Sequence, residues 1–154
     1  MRREHAQLEQ FAFRHPLRVR WSEVDRQGIV FNPHYFTYAD IAWTEYLRAV
    51  GCPYPEGLLA LGSDLFAVHA EADYIGSAEY DDELTLAARV PYIGQSSMRT
   101  LTAIFRGEQL LTEVRMTYVN AALEGREARP LPPQLVDAIL GFERIAPERK
   151  QAPQ

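Results

Sequence analysis

The sequence contains one cysteine and one lysine in 154 residues. With Cys52 alone, no intrachain disulfide can form and no cysteine-based zinc site can assemble. With Lys150 as the only lysine, Schiff-base chemistry in a core has no candidate. No apolar run approaches membrane-spanning length. Met1 to Gln10 is polar and charged, without the apolar stretch of a signal peptide. The cytoplasm is therefore the expected location, with no membrane partner. Positive charge is also short: 16 basic against 21 acidic residues give a net charge of −5. That excess of acid argues against nucleic acid or an anionic membrane as a general partner.

Familiar motifs are missing too. Gly28 stands alone, so there is neither a phosphate loop nor a dinucleotide fingerprint. There is no Gly-x-Ser-x-Gly elbow. His5, His15, His34 and His69 are scattered, without the spacing of metal ligands. Neither a metal nor a cofactor is expected.

What is present is a globular composition, 47% hydrophobic and 24% charged, at a length that suits one domain. A loose polar arm over 1–10, one domain over 11–145 and a polar tail over 146–154 are expected. Leu17, Val19 and Trp21 alternate with Arg18 and Arg20, which predicts a strand with one buried face. Asn32-Pro33 is a helix-start pair, and Phe36, Ala39, Trp43, Tyr46, Leu47 and Val50 form a helical stripe. Gly51 and Pro53 then stop it. This predicts a helix over about 34–50, buried on more than one side. Four alternating runs follow, over 66–74, 84–92, 99–106 and 110–118. A short apolar helix closes the chain over 135–142. One long helix inserted after the first strand of a meander is an α+β pattern, most simply an antiparallel sheet wrapped around that helix.

The chemistry-bearing segment is Asp25-Arg26-Gln27-Gly28-Ile29-Val30-Phe31-Asn32-Pro33-His34-Tyr35. It sets a carboxylate on a turn just before a helix N-terminus, where unpaired N–H groups and the positive dipole end can polarise a carbonyl. Such a carboxylate can attack an acyl group or activate a water. From the residues alone, an Asp near a helix start is more often solvated or capping. Glu45 is a possible second acid on the helix, or hydrogen-bonded structure. His34 is a possible substrate contact, or a first-turn surface histidine. His69 and Asp73 share a polar strand face, Asp81-Asp82-Glu83 is a solvated turn, and Cys52 is a small residue at a helix end.

The segment Trp21 to Tyr35 resembles the signature of the 4-hydroxybenzoyl-CoA thioesterase-like acyl-CoA hydrolases: an Asp, two residues, Gly-Ile-Val-aromatic, then a helix start ending in Tyr. Trp43-Thr44-Glu45-Tyr46-Leu47-Arg48, Ala78 to Leu84, and Ser97-Met98 follow in the family's order. The resemblance implies the hot-dog fold. It places the catalytic carboxylate at Asp25, a carbonyl-polarising backbone N–H at Asn32 and the turn between them at Gly28. Phe31 and Tyr35 would line or support the acyl pocket, and Ser97 would contact substrate. It implies a small or medium acyl- or aryl-CoA substrate and a homodimer or tetramer with shared sites. One departure stands out. The turn Gly94-Gln95-Ser96-Ser97 carries no basic residue where some relatives meet the CoA phosphates, and only Arg89 and Arg99 flank it. Two other functions compete. A hot-dog dehydratase or hydratase would pair a His with an acid before a Gly-rich helix start, which this chain lacks. A non-catalytic acyl-thioester-binding module would bind without turnover.

Overall fold

The computed structural model describes residues 4–150. The first three residues of the expected arm and the last four of the expected tail lie outside them. Strands β1 (Phe13–Arg18), β2 (Ser63–Tyr74), β3 (Glu83–Ile93), β4 (Ser97–Arg106), β5 (Gln109–Ala122) and β6 (Glu148–Arg149) form one sheet. Its order is β1-β3-β4-β5-β2, with the two-residue β6 beside β3. All the long pairings are antiparallel. Helix α1 (His34–Ala49) crosses the inner face, short α2 (Glu56–Leu59) precedes β2, and α3 (Pro133–Phe142) follows β5. The element order predicted this antiparallel sheet wrapped around one long helix, and it is the hot-dog layout that the resemblance implies. Among the described residues, no helix is long and apolar enough to cross a membrane.

The helix forms where its punctuation predicts. Gly51 takes φ +82°, a left-handed conformation that costs glycine little. Gly51 and Cys52 donate back to Arg48 and Leu47 at 3.1 and 2.9 Å, ending the helix. Tyr35, Tyr38, Ala39, Ala42, Trp43, Tyr46 and Leu47 are buried. Exposure is confined to Thr37, Asp40, Arg48 and Ala49, so the helix is buried over one broad face and not all round. Trp43 stacks between Tyr46 and Tyr118, with ring centroids 5.2 and 5.6 Å away. Leu84, Leu86, Ala88 and Val90 of β3 and Val114 of β5 close the core from the sheet side.

Two local expectations fail. Trp21 does not share the buried side with Val19; it is 73% exposed. The strand ends early, and Trp21–Glu23 form a 3₁₀ turn that swings the indole outward onto Tyr80, 5.1 Å away. The arm is also not loose over its described part. Leu101, Ala103 and Phe105 do share one face, but it is the outer one. There Ala6, Leu8 and Phe11 cover them together with Ala87 and Leu110, Phe11 meeting Phe105 edge-on at 6.4 Å. Left bare, that apolar patch would be costly to hydrate. Leu110 joins this outer cluster because a bulge between Ile104 and Phe105 shifts the register of β5.

Candidate active site

The segment between β1 and α1 crosses one end of the sheet. Val24 bridges Val30 in antiparallel sense, and Ile29 bridges Glu79, so residues 25–29 form a closed loop sewn to the approach of β3. Asp25 N–H donates to Ile29 C=O and Gly28 N–H to Asp25 C=O, both at 2.9 Å. Gly28 takes φ +79°, where a side chain would be strained. One carboxylate oxygen of partly buried Asp25, Oδ1, accepts the Gln27 N–H at 2.8 Å. Its other oxygen meets no donor among the described residues.

Glu23, which the sequence reading overlooked, anchors this loop. It is 4% exposed. Its carboxylate accepts the Arg20 N–H and Nη2 at 2.8 Å each, and the Tyr38 hydroxyl at 3.0 Å. Burial pushes the Glu23 carboxyl up, but these hydrogen bonds outweigh it and hold the group below the usual carboxylate range. Its backbone C=O accepts the Phe31 N–H at 2.9 Å, tying the loop to the helix start. The Arg20-x-x-Glu23 spacing was the available signal, but nothing in it told a buried clamp from a surface pair.

At the helix start, Phe31 C=O accepts the His34 N–H at 2.9 Å, and Asn32 C=O accepts the Tyr35 N–H at 3.3 Å. Pro33 has no N–H. The Asn32 N–H has no acceptor among the described residues. It is a free donor at the positive end of a 16-residue helix, where an acyl oxygen gains from both hydrogen bond and dipole. Pro33, and not Asn32 as the helix-start pair implied, is the N-cap, and no side chain caps this end.

The other expected residues divide. Phe31 is 48% exposed, edge-on to His34 at 6.0 Å, beside the free N–H. Tyr35 points into the core, where its hydroxyl accepts the Ala78 N–H at 3.0 Å and burial raises its pKa; it supports the loop from below. Ser97 is not brought to this end by its own chain. It opens β4 opposite Val119, whereas the helix start lies by Arg106 and Tyr74, at the other end of the sheet. Glu45 pairs with Arg48 at 3.2 Å on the helix surface. Arg89 and Arg99 line a groove of about 740 Å³ on the outer face, and none of its lining residues belongs to the Asp25 turn or the helix start. Asp82 pairs with Arg106 at 2.7 Å, and no metal-binding cluster occurs among the described residues. Cys52 is buried, and burial raises its thiol pKa.

The sequence pattern described as Thioesterase superfamily matches residues 27–113, a span that holds Gly28, Asn32 and Tyr35 and opens just after Asp25. A protein of Aquifex aeolicus (strain VF5) named as an esterase is 37% identical over 65 residues, 42% of this chain; the match spans half of that relative's length. Among solved structures, a 1,4-dihydroxy-2-naphthoyl-CoA thioesterase from Synechocystis superposes with a TM-score of 0.75 at 22% identity, covering 82% of this chain and 94% of its own. A thioesterase from Thermus thermophilus, solved with coenzyme A and zinc, superposes with a TM-score of 0.76 at 24% identity, covering 88% and 97%. These two likenesses show a shared fold. With more than half its length matched to the family pattern, the chain belongs to the thioesterase superfamily.

Proposed function

We propose that the protein hydrolyses the thioester of a small or medium acyl- or aryl-CoA to the free acid and CoA. The observation that carries this is the pairing of a carboxylate with an uncommitted oxygen and a free helix-start N–H, on two ends of one short sewn loop, in a chain of this superfamily. The Asn32 N–H polarises the thioester oxygen. Asp25 either removes a proton from water as it attacks the carbonyl carbon, or attacks that carbon itself to give an acyl-aspartyl anhydride that water then opens. In both cases the C–S bond breaks and the departing thiolate takes up a proton. Gly28 permits the turn, and Phe31 flanks the acyl group.

The working unit is a homodimer joined through β2, with a tetramer as a further stacking of dimers. Antiparallel pairing of β2 with its copy brings the far end of one sheet beside the near end of the other. Ser97 of one protomer then lies at the end of the sheet that carries Asp25 in its partner, completing a shared site. A free-thiol assay over a panel of short, medium and aromatic acyl-CoAs tests the reaction. Thiol release supports it. A change in enoyl absorbance without thiol release would indicate a dehydratase instead, and binding without turnover a carrier module.

A further inference from the structure

The helix start has a second support that comes from the edge of the sheet. Tyr74 is the last residue of β2 and pairs with Thr112 of β5. The chain beyond it is fixed as well, since both Ile75 and Gly76 donate to Leu111 C=O at 2.9 Å. From this braced position the Tyr74 hydroxyl donates to Asn32 C=O at 3.2 Å, and its ring packs on Tyr35 at 5.6 Å between centroids. Asn32 is thus held on both sides. The Phe31–Asn32 peptide, which carries the Asn32 N–H, is oriented by the His34 N–H on Phe31 C=O, and the Asn32–Pro33 peptide after it by the Tyr74 hydroxyl and the Tyr35 N–H on Asn32 C=O. Pro33 cannot contribute an N–H, so the Asn32–Pro33 peptide is steered only through its carbonyl.

We propose that Tyr74 is a positioning residue: its hydroxyl holds the Asn32 carbonyl, fixes the backbone on the far side of the Asn32 Cα, and so limits how the preceding peptide can tilt its free N–H away from the thioester oxygen. This rests on the thioesterase reading above. Oxyanion donors lose much of their effect with small misalignment, because their advantage lies in being fixed before charge develops. The hydroxyl belongs to the same strand whose edge would pair in the dimer, so the seam and the polarising donor share a side chain.

Tyr74→Phe removes the hydroxyl and keeps the ring on Tyr35. One net hydrogen bond corresponds to about a three- to tenfold change, so kcat should fall by about that much with KM unchanged. Two CoA analogues add a readout that a packing role would not move. A fluoroketone analogue, with methylene in place of sulfur and fluorine beside the carbonyl, hydrates to a tetrahedral form like the transition state and should bind more weakly to Tyr74→Phe. A thioether analogue, lacking the carbonyl, should bind equally to both proteins. The Asn32 amide proton resonance should also shift in Tyr74→Phe while amides near Trp43 stay in place. An unchanged kcat, an equal loss of both analogues, or an unmoved Asn32 amide would overturn the assignment. Failure of the wild type to release thiol from any acyl-CoA would sink the hydrolase reading alone, and the Asn32 resonance would still decide whether Tyr74 holds that peptide.

Discussion

The two edges of the sheet are built differently. At one edge β1 is short and carries Pro16, whose missing N–H suits a strand that pairs on one side only. Beyond the end of β1, β3 runs on uncovered at Val90. There the Glu143 carboxylate accepts the Val90 N–H at 2.7 Å and the Tyr46 hydroxyl at 3.1 Å, and β6 covers Tyr92 and Ile93. This edge is closed. At the other edge β2 is 12 residues long, has no proline, and is exposed from Ala67 to Glu71, with Val68 at 60%. An open, long edge is a template for another strand. The same edge ends on Tyr74, which touches the helix start. One edge is finished within the chain, while the other leads to the candidate chemistry and has no neighbouring strand among the described residues.

The largest effect expected belongs to the open side. Asp25→Asn keeps size and removes basicity, so turnover should fall by about 10² to 10⁴ fold with an unchanged fold. Steady-state thiol release and circular dichroism on one preparation check this.

The next prediction attacks the edge itself. Val68→Lys with Ala70→Lys places two charges along β2, a device natural edges use against pairing. Sedimentation equilibrium should then give a mass near 17.6 kDa, one chain. Thiol release should fall at least about tenfold if the site needs its partner. A dimeric mass for this variant would show that β2 is not the seam.

The closed edge should respond to pH. Burial raises the Glu143 carboxyl above its ordinary value, although the Val90 and Tyr46 hydrogen bonds and Arg89 pull the other way. A group whose folded pKa is raised contributes stability that is complete below its unfolded pKa and is lost as pH rises through the folded value. Glu143→Gln removes this titration. The thermal midpoint of the variant relative to wild type should therefore climb as pH rises from about 4, with turnover little changed. A midpoint difference that is flat with pH would contradict the assignment.

The smallest effect is expected at Asn32→Ala. The side chain caps nothing and the N–H remains, so kcat should change less than about twofold and stability by only a few tenths of a kcal/mol.

Much of this was legible in the sequence. Pro33 and Gly51 bracket the helix, as the punctuation implied, but Pro33 and not Asn32 is the N-cap and no side chain caps that end; period-two runs mark the strands because one face of each is buried. The Asp25–Gly28 turn could be read from the glycine alone. Other features depend on partners distant in sequence. Alternation put Leu101, Ala103 and Phe105 on one face without telling which side of the sheet, or that Phe11 would cover them. Trp21 looked buried by parity, because the Arg20–Glu23 hydrogen bonds that turn the chain leave no periodic trace. Nothing near Ser97 told which end of the sheet it would occupy, and nothing at Tyr74 pointed to Asn32, 42 residues earlier.

The most direct test is to mix two inactive chains. Asp25→Asn lacks the carboxylate, and Ser97→Trp blocks the pocket from the partner's side. If each site takes Asp25 from one protomer and Ser97 from the other, a mixed dimer holds one intact site and one doubly damaged one. After equimolar refolding, thiol release should return to about a quarter of the wild-type rate per chain. No recovery, with mixed dimers verified by mass, would contradict a site shared across the open edge.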